Sequence, residues 1–179
     1  MWKGCIFEEI KDRLYAVAYD DTRKSILTSL QDKWSDVVWL EEFFEANKQD
    51  LEAGFYAPTT IDEAIEITLD EADELFAKLL EQDGTNLEQL FRPLDNREYS
   101  TKDFQEQKAK GNSHSWLRIY AIHYYDRYII TGGAIKLTHK MEDRPHTQAE
   151  LRRLSQVRSL LKYDEGSVEF VYLDIEKDE

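Results

Sequence analysis

The sequence predicts an α+β fold, helices packed on a small, mostly antiparallel sheet. Three observations carry that expectation. Short β-rich runs stand near both ends, at Arg13 to Tyr19 and Val168 to Leu173; a hairpin pattern fills Trp116 to Thr138; and strongly amphipathic helical stretches lie between them. The order is strand, helices, three strands, helix, strand.

Taken in order, RLYAVAY (Arg13 to Tyr19) is rich in β-formers and stops at Asp20-Asp21, which predicts a strand. Thr22 to Trp34 sets Ile26, Leu27, Leu30 and Trp34 at helical spacing, and a second helix after Ser35-Asp36 continues with Val37, Leu40, Phe43 and Phe44. The aromatics Trp34, Trp39, Phe43 and Phe44 read as packing rather than a cofactor box at this spacing. Thr60 with Glu63 forms a capping box, and Ile61, Ile65, Leu69, Ala72, Leu75, Phe76, Leu79 and Leu80 make an apolar stripe ending at Gly84. One helix is expected over 60–82, with Asp62, Glu63, Glu66, Asp70, Glu71, Asp73, Glu74 and Glu81 on its exposed face. Its carboxylates follow helical and not EF-hand spacing, so a metal site is not expected.

Thr85 with Glu88 starts a short helix that Pro93 limits. Tyr99 to Ser115 is polar and reads as a linker or loop. In the central stretch, Trp116 to Tyr120 and Tyr128 to Ile130 read as an antiparallel hairpin turning at Tyr125-Asp126. Gly132-Gly133 reads as a break before a third run, Ala134 to Thr138. Thr147 with Glu150 caps a helix turning Leu151, Leu154, Val157 and Leu161 inward and leaving Arg152, Arg153 and Arg158 outside. The acidic end, DIEKDE, reads as frayed.

The chain has 179 residues, 41% of them apolar and 12% aromatic, enough for one domain with a sizeable core. The map expected is a single domain over 1–179, with 55–98 as a helical insertion and 164–179 as a final strand plus acidic tail. The lone Cys5 makes no internal disulfide and reads as a partly buried small hydrophobe. No leader-like or membrane-length apolar run occurs, so a cytoplasmic protein without membrane contact is expected.

Net charge is −14, which argues against a nucleic-acid binder until its distribution is read. Residues 1–100 hold 10 Lys/Arg against 24 Asp/Glu, 101–163 hold 12 against 6, and 164–179 hold 1 against 7. A basic block is bounded by acidic ones, so an anionic ligand has one place to bind; each block is equally readable as a solvated face.

Within that block Arg118-Ile119-Tyr120, an apolar strand, and Gly133-x-x-Lys136-x-Thr138-x-Lys140, then Pro145 and a basic helix, resemble the HigB/RelE-like toxins of bacterial toxin–antitoxin pairs, in particular their phage-derived HigB-like branch. That branch commonly carries Gly-x-x-Lys-Lys-Thr-x-Lys, and Leu137 replaces its second lysine here. The resemblance spans 116–163. It implies a RelE-like fold, an antitoxin partner (a helix-turn-helix protein being one kind), and messenger RNA, met at the ribosome, as target, with no direct role for DNA. It also implies cleavage without a metal or other cofactor: the ribose 2′-hydroxyl attacks the phosphate while the protein stabilises charge and moves two protons.

Arg118 suits phosphate through its planar fork, Lys136 supplies a compact charge, His139 titrates near neutrality, and Tyr120 stacks on a base or donates its hydroxyl. His123 and His146 stand behind His139 as proton carriers. Arg127, Lys140, Arg152 and Arg153 are the expected RNA contacts. Each also has a structural reading: Arg118 and Lys136 pair with the acidic helix, His139 lies on the surface, and Tyr120 is core. Two functions follow, an endoribonuclease toxin and a noncatalytic RelE-like module whose sheet binds a protein. An open concavity holding the cations favours the first, and their burial favours the second. For the first, the acidic helix is expected on the far side of the basic block.

Overall fold

The computed structural model describes residues 5–19, 24–52, 60–80, 87–94, 112–138, 144–160, 168–173 and 176–178. Its centre is the hairpin of β5 (Leu117–Tyr124) and β6 (Arg127–Ile135), turning through Tyr125-Asp126 as the sequence predicts. Tyr125 takes a left-handed φ of 57° there, a conformation few non-glycine residues adopt. The expected break at Gly132-Gly133 is absent, because β6 runs through both glycines. What replaces it is a bulge: Tyr120 pairs with Gly132 and Ala121 with Ile130, leaving Thr131 as the extra residue.

Around this hairpin a six-stranded sheet forms in the order β1 (Cys5–Ile10), β2 (Leu14–Ala18), β6, β5, β7 (Val168–Leu173), β3 (Phe91–Pro93). All neighbours are antiparallel except β2 and β6, which run parallel. The last predicted strand, β7, is interior, between β5 and β3. Pro93 does not simply stop a helix; it sits in β3, an edge strand, where its missing N–H costs no ladder bond. The acidic end is not frayed throughout, since β8 (Glu176–Asp178) pairs with β4 (Asn112–His114). β1, which the sequence pattern missed, is the other edge, and it leaves Cys5 exposed rather than partly buried.

Helices cover both faces. On one lie α1 (Ile26–Trp34), α2 (Val37–Ala46), the short α3 (Lys48–Glu52) and α4 (Ile61–Leu79); on the other lies α6 (Pro145–Leu160), with α5 (Leu87–Leu90) leading into β3. The caps follow local chemistry. The side chains of Ser25, Asp36 and Thr60 accept the free amides at the starts of α1, α2 and α4. α6 begins before the predicted Thr147, with Pro145 in its first turn, where a missing N–H is tolerated; the Thr147 hydroxyl donates to the Arg144 carbonyl. A forked Arg144–Asp50 pair ties the start of α6 to α3.

The larger core joins Leu14, Ala16, Leu117, Ile119 and Ile130 of the sheet to Leu27, Leu30, Trp34, Leu40, Phe44, Leu75 and Leu79. α4, expected as an added section, thus shares one core with the central strands. Val37, expected to face inward, is exposed. Under α6 a smaller cluster gathers Val17, Tyr120, Ile122, Ile129, Leu154, Val157 and Tyr172.

α4 ends at Leu79, leaving Leu80 of the expected stripe exposed, and within the helix the expected amphipathicity fails at Glu71. Glu71 is buried, 4% exposed, and accepts the Ser115 hydroxyl, while Thr68 accepts the indole N–H of Trp116 at 3.0 Å. The acidic helix is therefore pinned to the entry of β5 and is not remote from the basic block. Its carboxylates Asp62, Glu63, Glu66, Asp70, Asp73 and Glu74 are exposed as expected. Glu81, Gln82, Gly84, Thr85, 99–111, His139, Lys140 and Leu161 lie outside the described residues.

Candidate nucleic-acid interface

Side chains alternate along β5, so Leu117 and Ile119 face α1 and α4 while Arg118 and Tyr120 face α6. Arg118 is 2% exposed. Its Nη1 donates to the carbonyls of Ser115 and Leu117, and its guanidinium carbon lies 6.0 Å from the Tyr172 ring. Tyr120 is fully buried and Lys136 is 4% exposed, with its backbone N–H donating to the Trp116 carbonyl at 2.7 Å. Arg118, Tyr120 and Lys136 thus lie within the packed sheet layer and are not gathered around an open concavity.

Outside that layer the α6 side of the molecule is arginine-rich. Arg153 stands 4.7 Å over the Tyr19 ring, Arg158 5.6 Å over Phe170, and Arg127 5.9 Å over Tyr15. Tyr15, Tyr19 and Phe170 all pack partly buried against the cluster beneath α6, so the three pairs share a face with Arg118–Tyr172. Arg127 and Arg158 are exposed, and the Arg153 side chain keeps 39% of its surface open. A guanidinium over an aromatic face gains a modest cation–π attraction and keeps N–H groups for other partners.

The outer side of α6 adds a groove of about 640 Å³, open to solvent and lined among the described residues by Leu151, Arg152, Ser155, Gln156 and Ser159. Positions 152, 155, 156 and 159 are three or four apart, so one helix face carries a guanidinium, two hydroxyls and an amide. These are the donors that contact nucleic-acid backbones. The sequence reading placed Arg152, Arg153 and Arg158 outside but passed over the serines and Gln156, whose helical spacing was the available signal.

α6 contains one acid, Glu150, and the fold turns it inward. It is 5% exposed, its Oε1 accepts from Arg153 Nη1 at 3.1 Å, and its Oε2 has no hydrogen-bond donor among the described residues. Burial pushes its carboxyl up to about 7, against the opposing pull of Arg153 and Lys33. Near neutral pH the helix thus carries three arginines and only partial negative charge.

The remaining candidates separate from this face. His123 stacks on Tyr128 at 4.4 Å, with Nδ1 3.8 Å from Glu169, at the hairpin's turn end. His146 meets the Ile135 carbonyl at 2.9 Å and the edge of Phe43. Comparison with protein-family models, curated proteins and solved structures finds no match. Among the described residues, no helix is long and apolar enough to cross a membrane, and no group of three His, Cys, Asp or Glu side chains is placed to hold a metal ion.

Proposed function

We propose that the chain is the toxin component of a toxin–antitoxin pair, a RelE/HigB-like protein that acts on RNA, with α6 and the adjoining arginine–aromatic pairs as its RNA-facing surface. The observation that carries the reading is the outer face of α6. There Arg152 shares a groove with Ser155, Gln156 and Ser159, Arg153 and Arg158 flank it, and the one acid of the helix is withdrawn. Aromatic rings beneath guanidinium groups suit unpaired bases and phosphates together. Net charge of −14 does not forbid this, because screening confines the field of a surface charge to ~8–10 Å at physiological salt. In this reading Arg152 and Arg153 contact phosphate, His139 carries the proton, and cleavage proceeds without metal by attack of the 2′-hydroxyl.

A second reading is favoured by the burial of Arg118, Tyr120 and Lys136. On this reading, supported by Arg118 donating to backbone carbonyls and by the burial of Tyr120 and Lys136, the chain is a noncatalytic RelE-like module that binds a protein.

Induced expression in a bacterial host separates the two. The toxin reading expects growth arrest with cleaved messenger RNA, relieved by the paired substitutions Arg152→Ala and Arg158→Ala, which remove surface charge and leave the fold intact. Arg118→Ala is a poor test of it, since it removes a buried guanidinium. Wild type that is harmless with every antitoxin absent leaves the noncatalytic reading standing alone.

A further inference from the structure

Glu150 has a seat made for it. A methyl group added at Gly132 would lie 1.9 Å from its Oε2, so the carboxyl occupies the space a side chain on β6 would take. This contact exists because of the Thr131 bulge, which brings Gly132 opposite Tyr120 on the face that α6 covers. Oε1 is held by Arg153, and Arg153 is itself held over Tyr19, whose hydroxyl donates to the Thr131 carbonyl. Carboxyl, guanidinium, phenol and bulge form one closed cluster between the first half of α6, the end of β2 and the middle of β6.

We propose that this cluster is a protonation latch for α6: the neutral Glu150 carboxyl seats the helix over Gly132, and the carboxylate releases it, opening the layer that holds Arg118 and Tyr120. The geometry requires the coupling. Oε2 lies in a buried seat with no donor among the described residues, where an ionised oxygen loses its water without a hydrogen bond in return. Among the described residues, the charged or titratable groups acting on it are Arg153 from α6 itself, Lys33 from α1 and Tyr19 from the end of β2. The two cations favour the carboxylate, yet burial outweighs them and raises the carboxyl to about 7. His146, in the first turn of the same helix, is turned toward Phe43 and Ile135 and takes no part.

The first turn of α6 is tied down by Arg144–Asp50 and His146, but beyond Glu150 its apolar anchoring is slight. Its apolar contribution is Leu154 and Val157 with half-buried Leu151, and Leu160 is exposed. A helix held by so few apolar contacts opens at lower cost than the sheet, so loss of its carboxyl seat registers locally. The proposal stands whether or not α6 meets RNA.

Backbone amide exchange tests it, with the intrinsic pH dependence of exchange removed. In the wild-type chain, protection of α6 between Glu150 and Ser159 is expected to fall on the order of 50- to 100-fold from pH 5 to pH 8, while β5 keeps its protection. Glu150→Gln, neutral at every pH, is expected to hold α6 protected throughout. Gly132→Ala, which drives the carboxyl from its seat, is expected to leave α6 weakly protected at all pH. A pH response that persists in Glu150→Gln, a wild-type α6 that does not respond, or α6 and β5 losing protection together would each overturn the latch.

Discussion

Under α1, α2 and α4 the sheet presents Leu14, Ala16, Leu117, Ile119 and Ile130, and the helices answer with Trp34, Leu40, Phe44, Leu75 and Leu79. Under α6 the same strands present Arg118, Tyr120, Thr131 and Tyr172, and the helix answers with Glu150, Arg153 and two fully buried aliphatics. One strand supplies both surfaces by alternation, so the difference lies in the odd and even positions of a single sequence. The apolar face stabilises chiefly by burial of hydrocarbon, which carries no proton to gain or lose. The polar face depends on the protonation of one carboxyl and on hydrogen bonds that admit one geometry, and the cost of separating it from its helix is correspondingly lower. Stability and adjustability have been assigned to opposite sides of one sheet.

Substitutions break this contrast in a definite order. The largest loss is expected from Trp34→Ala, which empties a fully buried site between α1 and the sheet; chemical denaturation should record a loss of about 3–5 kcal/mol. Leu75→Ala, fully buried on α4, follows at about 2–5 kcal/mol, and a loss below about 0.5 kcal/mol would place Leu75 at the surface.

The adjacent glycines sharpen the comparison, since they look in opposite directions. A methyl at Gly133 would meet the Arg118 carbonyl and Leu30 Cδ1, each at 2.8 Å, and backbone there has nowhere to go; Gly133→Ala should cost about 1–3 kcal/mol. At Gly132 the obstruction is the flexible end of Glu150, so above about pH 7, where the seat no longer contributes, Gly132→Ala should cost less than about 1 kcal/mol. Equal losses at the two would remove the distinction between the faces.

The change from Glu150→Gln is read as a difference between variant and wild type across pH. A carboxyl raised when folded contributes stability that is complete below about 4.5 and lost as pH climbs to about 7. Wild type should therefore lose on the order of 3 kcal/mol relative to Glu150→Gln across that window, and the two curves should run parallel above it. Denaturation midpoints at pH 4.5, 6 and 8 would reveal parallel curves throughout if Glu150 were not seated.

The sequence made some of this legible and not the rest. Helix starts at Ser25, Asp36 and Thr60 were readable because capping is local chemistry, and the stripe of α4 was readable because its period is long and regular. The turn at Tyr125-Asp126 was readable from the runs it separates. β1 was not, since Glu8-Glu9 interrupts alternation in a strand whose outer edge meets water. Gly132-Gly133 misled because glycine usually punctuates, and nothing local says that a distant helix fills the space. Arg118, Lys136 and Glu71 misled for the same reason: charge in a sequence reads as exposure, and whether a layer packed from distant segments buries it is not written locally. The arginines of α6 were readable as outward-facing, but their pairing with Tyr19 and Phe170 was not, because those rings come from the end of β2 and from β7, distant from α6 or across a loop from it.

The parallel pairing of β2 with β6 bears on the order in which the molecule comes into being. Leu14 lies beside Tyr128 and Ala16 beside Ile130, so neighbours in the finished sheet come from opposite halves of the chain. During synthesis β1, β2 and the helices through α4 leave the ribosome before the strands that bury their apolar faces. Until β5 and β6 emerge, Leu14, Leu30, Trp34 and Leu75 have no sheet centre to pack against. The nascent chain is held open by its own topology, and the central hairpin closes it.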